Sequence, residues 1–576
     1  MARRSKINFK ALESAQKLRG GYYTPLDIVE FLSNWVVTLK TRTILEPSCG
    51  DGRFLEALSE VILRNGSKNG AISIDAVEIS EDQVELAEKK ARNLASKGLQ
   101  ARVYCDDFFS WILNVPSDKT WDAILGNPPY IRYQYFDKDQ RFVAQEIFRK
   151  TNVKFTMLTN AWVPFILASV MHLTPGGRIA MVIPSEISYI IHAQGLRELL
   201  EQELEYIRIL HFREIVFDGT LQGTVLFLGI KRSDRTFRPL WNRTSSEQFK
   251  FPDKTDDKAV DFKICDIKDT DDLSKVGSSE MALQPKNGKP FVGHWMLALL
   301  DNDERSILSE LSRKSKVKSF AQIADITIGI VTGANNYFCV SDKTLKEYCL
   351  SEIASPMLAR SELIKGITYT KEDHEKNAAM GKSIHFLEFP NLDINRLPKT
   401  MQEYIRLGEE QQLHKRYKCR IREPWYCVPY VWISQISLLK RCHHFPRLIL
   451  NELGAYSTDT AYRISLKDVY SECGKDFVFS FINSYTLLLA ELGGRHYAGG
   501  VLELVPSEIR SLYIPLIKVT KNDFRLLDQM IREGKNAKDI LDFTDKIILS
   551  QGLGLCEKKI KVLKDCYNRV KQRRQR

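Results

Sequence analysis

A chain of 576 residues has room for two to four domains at roughly 150 residues each. Hydrophobic residues make up 44% and charged residues 27%, close to the averages of folded globular domains, which excludes long disorder, collagen-like repeats and a membrane bundle. The net charge of +12 favours a polyanionic partner wherever the surplus gathers on one face. The eleven cysteines are scattered, with no C-x-x-C pair and no spacing that closes a zinc site, so a disulfide framework and a metal ribbon are both disfavoured. The basic start lacks the apolar core of a signal peptide. The most apolar stretch, 161–173, falls short of the about 20 residues that cross a bilayer and reads as a buried helix. The expectation is a cytoplasmic protein with no membrane association and no metal site.

From about residue 40 to 230 short apolar runs alternate with helical patterns, the mark of a doubly wound α/β sheet covered on both faces. Strands are predicted at 42–46, 72–78, 101–105, 121–125, 178–183, 206–211 and 224–230, with helices at 54–63 and 82–96. From 242 to 290 the composition turns to Ser, Asp, Lys and Thr, as in a linker or irregular extension. Beyond it, short Ile/Val/Tyr/Trp runs broken by Gly, Asn and Pro predict a domain that is mixed α/β, or largely β with a helical end, with helices returning after about Asn522. The expected division is 1–240, 241–290 and 291–576. The basic tail 569–576 reads as a solvated end.

The first informative segment is Glu46-Pro47-Ser48-Cys49-Gly50-Asp51-Gly52. A strand runs into small residues and then a helix, so the backbone can approach a ligand closely at the carboxyl edge of the sheet. A phosphate loop would carry Gly-Lys-Ser/Thr. Glu46 and Asp51 would instead repel phosphate and suit a cation, and S-adenosylmethionine, with its sulfonium and ammonium charges, fits better. The second strand ends at Glu78, where such a fold places a carboxylate for ribose hydroxyls; a helix-opening Glu is the plain alternative. The third ends in Asp106-Asp107-Phe108, where Asp107 could accept from an adenine amine and Phe108 could cover its ring, or the pair could form an acidic turn over a core aromatic.

The fourth strand ends in Gly126-Asn127-Pro128-Pro129-Tyr130. Consecutive prolines fix φ and remove both amide donors, leaving a stiff loop that presents an Asn amide, bare carbonyls and an aromatic ring. An amine placed there could donate one proton to the Asn127 side-chain oxygen and the other to the Pro128 carbonyl, which draws its nitrogen out of conjugation with a base. Tyr130 would stack on that base, which must leave a duplex to reach such a pocket.

The order Tyr23-Thr24-Pro25, Glu46–Gly52, Glu78, Asp107-Phe108, Asn127–Tyr130 resembles the amino-group DNA methyltransferases of the γ arrangement, in their adenine-N6 version. The resemblance implies a class I S-adenosylmethionine-dependent methyltransferase domain followed by a domain that recognises the target sequence in double-stranded DNA. It implies that Thr24 holds the methionine end of the cofactor, that Glu46, Pro47, Ser48 and the Cys49–Gly52 loop line the pocket, and that Glu78 with Ile79 flanks ribose and adenine. Asp107 and Phe108 would bind the cofactor adenine, and Asn127, Pro128, Pro129 and Tyr130 would carry the transfer. Val216-Phe217-Asp218-Gly219 resembles the segment whose aromatic packs against the extruded base, although Phe217 also fits a plain core position. A monomeric, nucleoid-associated prokaryotic modification enzyme with a separate cognate endonuclease is implied.

Specificity is expected in the second half, with Thr332–Tyr337 and the basic stretch 415–422 as candidates; a hairpin turn and a solvated face are their plain alternatives. Cytosine-C5 chemistry would need a Pro-Cys nucleophile, absent here, and Cys49 reads as packing. Pro252-Asp253 with Asp261-Phe262-Lys263 loosely echoes a nuclease pattern. That stretch is short for a nuclease core, and only about 20 residues precede Thr24, against the order of 100 that a domain takes. The remaining alternatives are a bifunctional restriction-modification enzyme, methylation of RNA or of protein glutamine, and a decayed DNA-binding subunit.

Overall fold

The computed structural model describes residues 24–64, 72–96, 99–131, 133, 136–156, 159–190, 193–212, 223–233, 260–273, 294–358, 360–497 and 499–575. Described residues up to Leu299 form one compact unit and those from Leu300 to Gln575 another.

The first unit is built on an eight-stranded sheet in the order β3-β2-β1-β4-β5-β7-β6-β8. Its strands are β1 (Thr43–Glu46), β2 (Ser73–Glu78), β3 (Gln100–Cys105), β4 (Trp121–Gly126), β5 (Leu173–Pro184), β6 (Leu204–Phe212), β7 (Thr224–Lys231) and β8 (Asp261–Ile267). Strands β1 to β5 pair in parallel, and β7 runs antiparallel between β5 and β6. Seven of these strands lie where the apolar runs predicted them. Side chains alternate across a strand, so Ile44, Ala123 and Ala180 join one core with the helices α1 (Leu26–Val36), α2 (Arg53–Arg64) and α3 (Glu81–Ala95). Buried Leu45, Ile124 and Ile179 face the other way. On that side α4 (Phe108–Asn114), α5 (Lys138–Lys150) and α6 (Trp162–Met171) are held by aromatic contacts, among them Phe108 on Phe165 at 4.8 Å between ring centroids. Every residue of α6 from Trp162 to Val170 is buried, as its all-round apolar sequence predicts. No helix of the described residues is long and apolar enough to cross a membrane.

Strand order reverses between β1 and β4, so their carboxyl ends open the crevice in which α/β sheets bind ligands. Asp122 locks these two strands together, accepting from the Arg42 and Thr43 amides at 2.8 and 3.0 Å.

The stretch 241–290, read as a linker or extension, contributes β8, which pairs in parallel with β6 from Tyr206↔Asp261 to Phe212↔Ile267. Phe262 and Ile264 alternate with Asp261 and Lys263, while Ile267, at an odd offset, joins the main core with Cys265 on the other face. The buried Arg208 guanidinium reaches the Asp261 carboxylate at 2.9 Å, and Phe262 packs on Trp295, so the nuclease-like Asp261-Phe262 pair has structural partners. Pro252 and Asp253 lie outside the described residues.

The second unit holds a five-stranded sheet ordered Ala324–Ile328, Ala461–Leu466, Ile436–Leu439, Leu448–Asn451, Thr368–Tyr369, and smaller sheets. Helices do not wait until Asn522 as the sequence predicts: Asn302–Ser312, Lys399–Glu410 and Ser484–Gly493 precede Lys521–Arg532, Ala537–Asp545 and Glu557–Gln575, so the unit is mixed α/β throughout.

The tail corrects the sequence reading. It is solvated on one face only: Arg569, Gln572 and Gln575 are exposed, while Ile560, Leu563, Tyr567, Val570 and Arg574 form a buried stripe on the last helix, at the 3–4 spacing of a packed face. Intervening Lys and Arg hide this pattern. Arg574 takes the last position of the stripe, and its fully buried guanidinium meets buried Glu491 at 2.7 and 2.8 Å. Removing one partner of such a pair strands a charge, so Arg574→Ala should cost about 3–5 kcal/mol, whereas Arg574→Met with Glu491→Leu should recover most of the loss. Denaturant unfolding of the two variants checks this.

Candidate active site

The turn after β1 is shaped by two glycines. Gly50 and Gly52 take φ of 52° and 77°, a left-handed region costly for side chains with a Cβ. A Cβ on Gly52 would also stand 3.0 Å from the Ala87 backbone of α3, so the loop lies flat on that helix. The Cys49 amide donates to Val77 of β2 at 2.9 Å, which ties the turn to the neighbouring strand. Glu78, at the end of β2, accepts from the Gly50 amide at 2.9 Å through Oε2 and from Ser80 at 3.0 Å through Oε1. Each carboxylate oxygen keeps a second lone pair for a further donor. Ile79, next in the chain, leaves 56% of its surface exposed.

The loop's two carboxylates have different surroundings. Asp51 pairs with Arg53 at 3.0 Å and lies 4.0 Å from Lys90 of α3. Glu46 is buried, and neither of its oxygens has a hydrogen-bond partner among the described residues. Burial pushes its carboxyl well above the ordinary carboxylate range, and nearby Asp51 and Glu78 add to the rise. An orphaned buried carboxyl is costly, and a cationic donor arriving from the crevice would relieve it. Burial also raises the Cys49 thiol, with Glu46 and Glu78 adding to the shift, so Cys49 remains a packed, protonated thiol.

At the end of β4 the Asn127 amide nitrogen donates to the Thr24 hydroxyl at 3.2 Å, which turns the side-chain oxygen to the opposite end of the amide plane. The Ser48 hydroxyl donates to the Asn127 carbonyl at 3.2 Å, and Arg53 reaches the Thr24 carbonyl at 3.4 Å. Segments far apart in sequence thus meet in one hydrogen-bonded group. Pro128 is buried, and Pro129 and Tyr130 are half-buried.

Asp107 caps α4, accepting from the Ser110 amide at 3.0 Å, and burial raises its carboxyl. The Phe108 ring is buried and stacks at 18° on Phe165, on the helix side of the sheet. Phe217 lies outside the described residues. Sequence reasoning missed Lys90 and Asp122. Asp122 had a signal, an acid inside an apolar strand; Lys90 had none, because its partner Asp51 is distant in the chain.

Three comparisons with known proteins stand beside this geometry. Residues 9–270 match the N-6 DNA Methylase family, and residues 292–549 match the C-terminal domain of the type II methyltransferase M.Eco57I. The chain carries an N-6 DNA methylase domain followed by a C-terminal domain of the M.Eco57I kind. This methyltransferase is 25% identical over 569 residues to the type II methyltransferase M.AccI of Acinetobacter calcoaceticus, covering 92% of each chain. It is 23% identical over 464 residues to M.BanIII of Aneurinibacillus aneurinilyticus, covering 73% of this chain and 74% of that one. Among solved structures, the DrdV–DNA complex aligns over 94% of this chain and 59% of the other, at 12% identity and a TM-score of 0.47. The methyltransferase has the class I sheet order, with the type II C-terminal domain following the catalytic one, the γ order that its motifs imply. It is a DNA methyltransferase of the restriction-modification kind, and the RNA and protein-glutamine alternatives give way to that assignment.

Proposed function

We propose that this methyltransferase transfers the methyl group of S-adenosylmethionine to N6 of an adenine drawn out of double-stranded DNA. The observation that carries the reading is the placement, at one sheet edge, of a buried Glu46 with no hydrogen-bond partner among the described residues and an Asn127 amide anchored by Thr24. A cationic methyl donor and an amine acceptor would be served side by side.

Thr24 and Glu46 would hold the ammonium end of the donor, with Pro47, Ser48 and the Cys49–Gly52 turn against its body. Glu78 would accept from the ribose, Ile79 would cover the adenine, and Asp107 would accept from its amine; Phe108 would support that wall from its stack on Phe165. Bound there, S-adenosylmethionine supplies an electrophilic methyl on a sulfonium leaving group. The Asn127 Oδ1 and the Pro128 carbonyl accept the two N6 protons of the target, which localises the lone pair on nitrogen. The nitrogen–methyl bond forms as the sulfur–methyl bond breaks, and one N6 proton leaves to solvent. Positioning supplies most of the rate. Tyr130 stacks on the extruded base and Pro129 stiffens the loop; Phe217, by its motif, would pack against the base. The enzyme acts as a monomer beside a separate cognate endonuclease.

Labelled donor offered to duplex DNA, RNA and protein in parallel should mark the duplex alone; label in RNA or protein would overturn the reading. Tyr130→Ala should retain donor affinity while losing turnover, read by calorimetry and by initial rates. Loss of donor binding in that variant would show that the ring serves the cofactor instead.

A further inference from the structure

The Asn127–Tyr130 loop is held at its entrance, where β4 ends at Gly126 and two prolines follow Asn127. Its exit is a separate problem, because the chain leaves the sheet there, and a loose far end would let the Asn127 side chain and the Pro128 carbonyl shift against a bound base. The exit is tied down at Ile131 and Tyr133. The Ile131 carbonyl accepts from the Ala161 amide at 2.8 Å, and the Tyr133 amide donates to the Thr159 carbonyl at 3.0 Å. Thr159 is buried, and its own amide donates to the Thr156 carbonyl at 3.0 Å. These bonds join the exit to the start of α6, the helix whose Phe165 stacks on Phe108.

Tyr133 also carries a side-chain tie. Its ring is buried, 4.5 Å from Phe155 and 5.5 Å from Phe136 between centroids, packing that phenylalanine would supply equally well. The hydroxyl is what phenylalanine lacks. It donates to the Arg141 carbonyl at 3.0 Å and accepts from Gln145 Nε2 at 2.8 Å, both on α5. Burying a hydroxyl is costly unless it is bonded, and here both bonds run to one helix, so they fix the phenol and with it the backbone three residues beyond Tyr130. The seat of this anchor is stiff. Phe136 packs on Phe109 at 6.1 Å, and Phe109 meets Phe165 edge-on at 4.8 Å, so the exit rests in the same aromatic layer that supports Phe108.

We propose that Tyr133 is a positioning residue for methyl transfer: through its hydroxyl it fixes the exit of the Asn127–Tyr130 loop, and so the angle at which Asn127 and Pro128 meet the target amine. The proposal rests on the transfer reading above. Misplacement by about 1 Å at a reacting centre costs on the order of 100-fold in rate, and it does so without removing binding contacts made elsewhere. The test uses the full chain with Y133F, Q145M and the double variant, on unmethylated plasmid at saturating donor, with rates expressed per folded molecule and donor affinity read by calorimetry. Y133F keeps the ring and should lower kcat about 10–100-fold, leaving the donor dissociation constant and the KM for DNA unchanged. Q145M removes one of the hydroxyl's bonds from an exposed position and should lower kcat by less. The double variant should match Y133F alone, because Gln145 acts only through the hydroxyl that Y133F deletes. Since Gln145 lies at the surface, Q145M keeps the test readable if Y133F folds poorly. A kcat per folded molecule equal to wild type in Y133F, or losses that multiply in the double variant, would overturn the proposal and leave Tyr133 as packing. So would a weakened donor affinity with unchanged kcat. The rates are compared on whichever nucleoside the wild type methylates, so a product other than N6-methyldeoxyadenosine would overturn the acceptor reading and not this one.

Discussion

Asn127→Ala is expected to lower methyl transfer by at least about 10²–10³-fold, the effect of removing one polarising group from a reacting centre, while donor affinity changes little. The split follows from the proposed mechanism. The Asn127 amide nitrogen is engaged with Thr24 and its backbone carbonyl accepts from Ser48, while its Oδ1 is the atom proposed to accept from the target amine. A bond made to the reacting nitrogen lowers kcat; a bond made to the donor would raise its dissociation constant instead. Initial rates at saturating donor, beside calorimetric donor binding, separate the two. Asn127→Asp tests the same point, since a carboxylate keeps an acceptor but loses the donor to Thr24.

The second large effect concerns Glu46. Its carboxyl is raised by burial and by Asp51 and Glu78, so in the free protein it keeps its proton above the pH at which the unfolded chain's Glu ionises. Across that interval the folded state binds more protons, and stability falls as pH rises from its ordinary value of 4.5 until the buried carboxyl itself ionises. Glu46→Gln should remove this fall and leave the free protein more stable near neutral pH. The same change should weaken donor binding by about 10–100-fold, the range of a lost hydrogen bond to a charged group. Binding a cation favours the ionised form, so wild-type donor affinity should drop as pH is lowered and binding should release protons, seen as a buffer-dependent enthalpy. The variant should show neither. A variant that loses stability and binds the donor as tightly as wild type would place Glu46 in the core rather than at the ligand.

The catalytic sheet was legible because its strands are continuous apolar runs buried on both faces, such as Ile44-Leu45 and Ala123-Ile124-Leu125, and because each chemistry-bearing segment directly follows one of them. Proline and glycine punctuation then placed Glu46–Gly52 and Asn127–Tyr130 on the carboxyl edge without any knowledge of tertiary contacts. Electrostatic compensation was not legible. Asp51 and Glu46 look equivalent in sequence, and only the packing of α3 on the loop gives Asp51 an ion pair with Lys90 while Glu46 stays buried. Strand β8 was obscured because charged Asp261, Lys263 and Asp266 interrupt its apolar residues, as is common on edge strands. In the second unit, strands as short as Thr368–Tyr369 carry too few residues for a period to emerge. The stripe ending at Arg574 failed to read as buried because its last member is a cation whose partner lies in another helix.

The measurement that tests the central claim most directly is the identity of the methylated nucleoside. Unmethylated plasmid incubated with the wild-type chain and labelled donor, then digested completely, should yield N6-methyldeoxyadenosine as the labelled product, and Asn127→Ala should yield almost none. Label in deoxycytidine, or an unchanged yield from Asn127→Ala, would contradict the account.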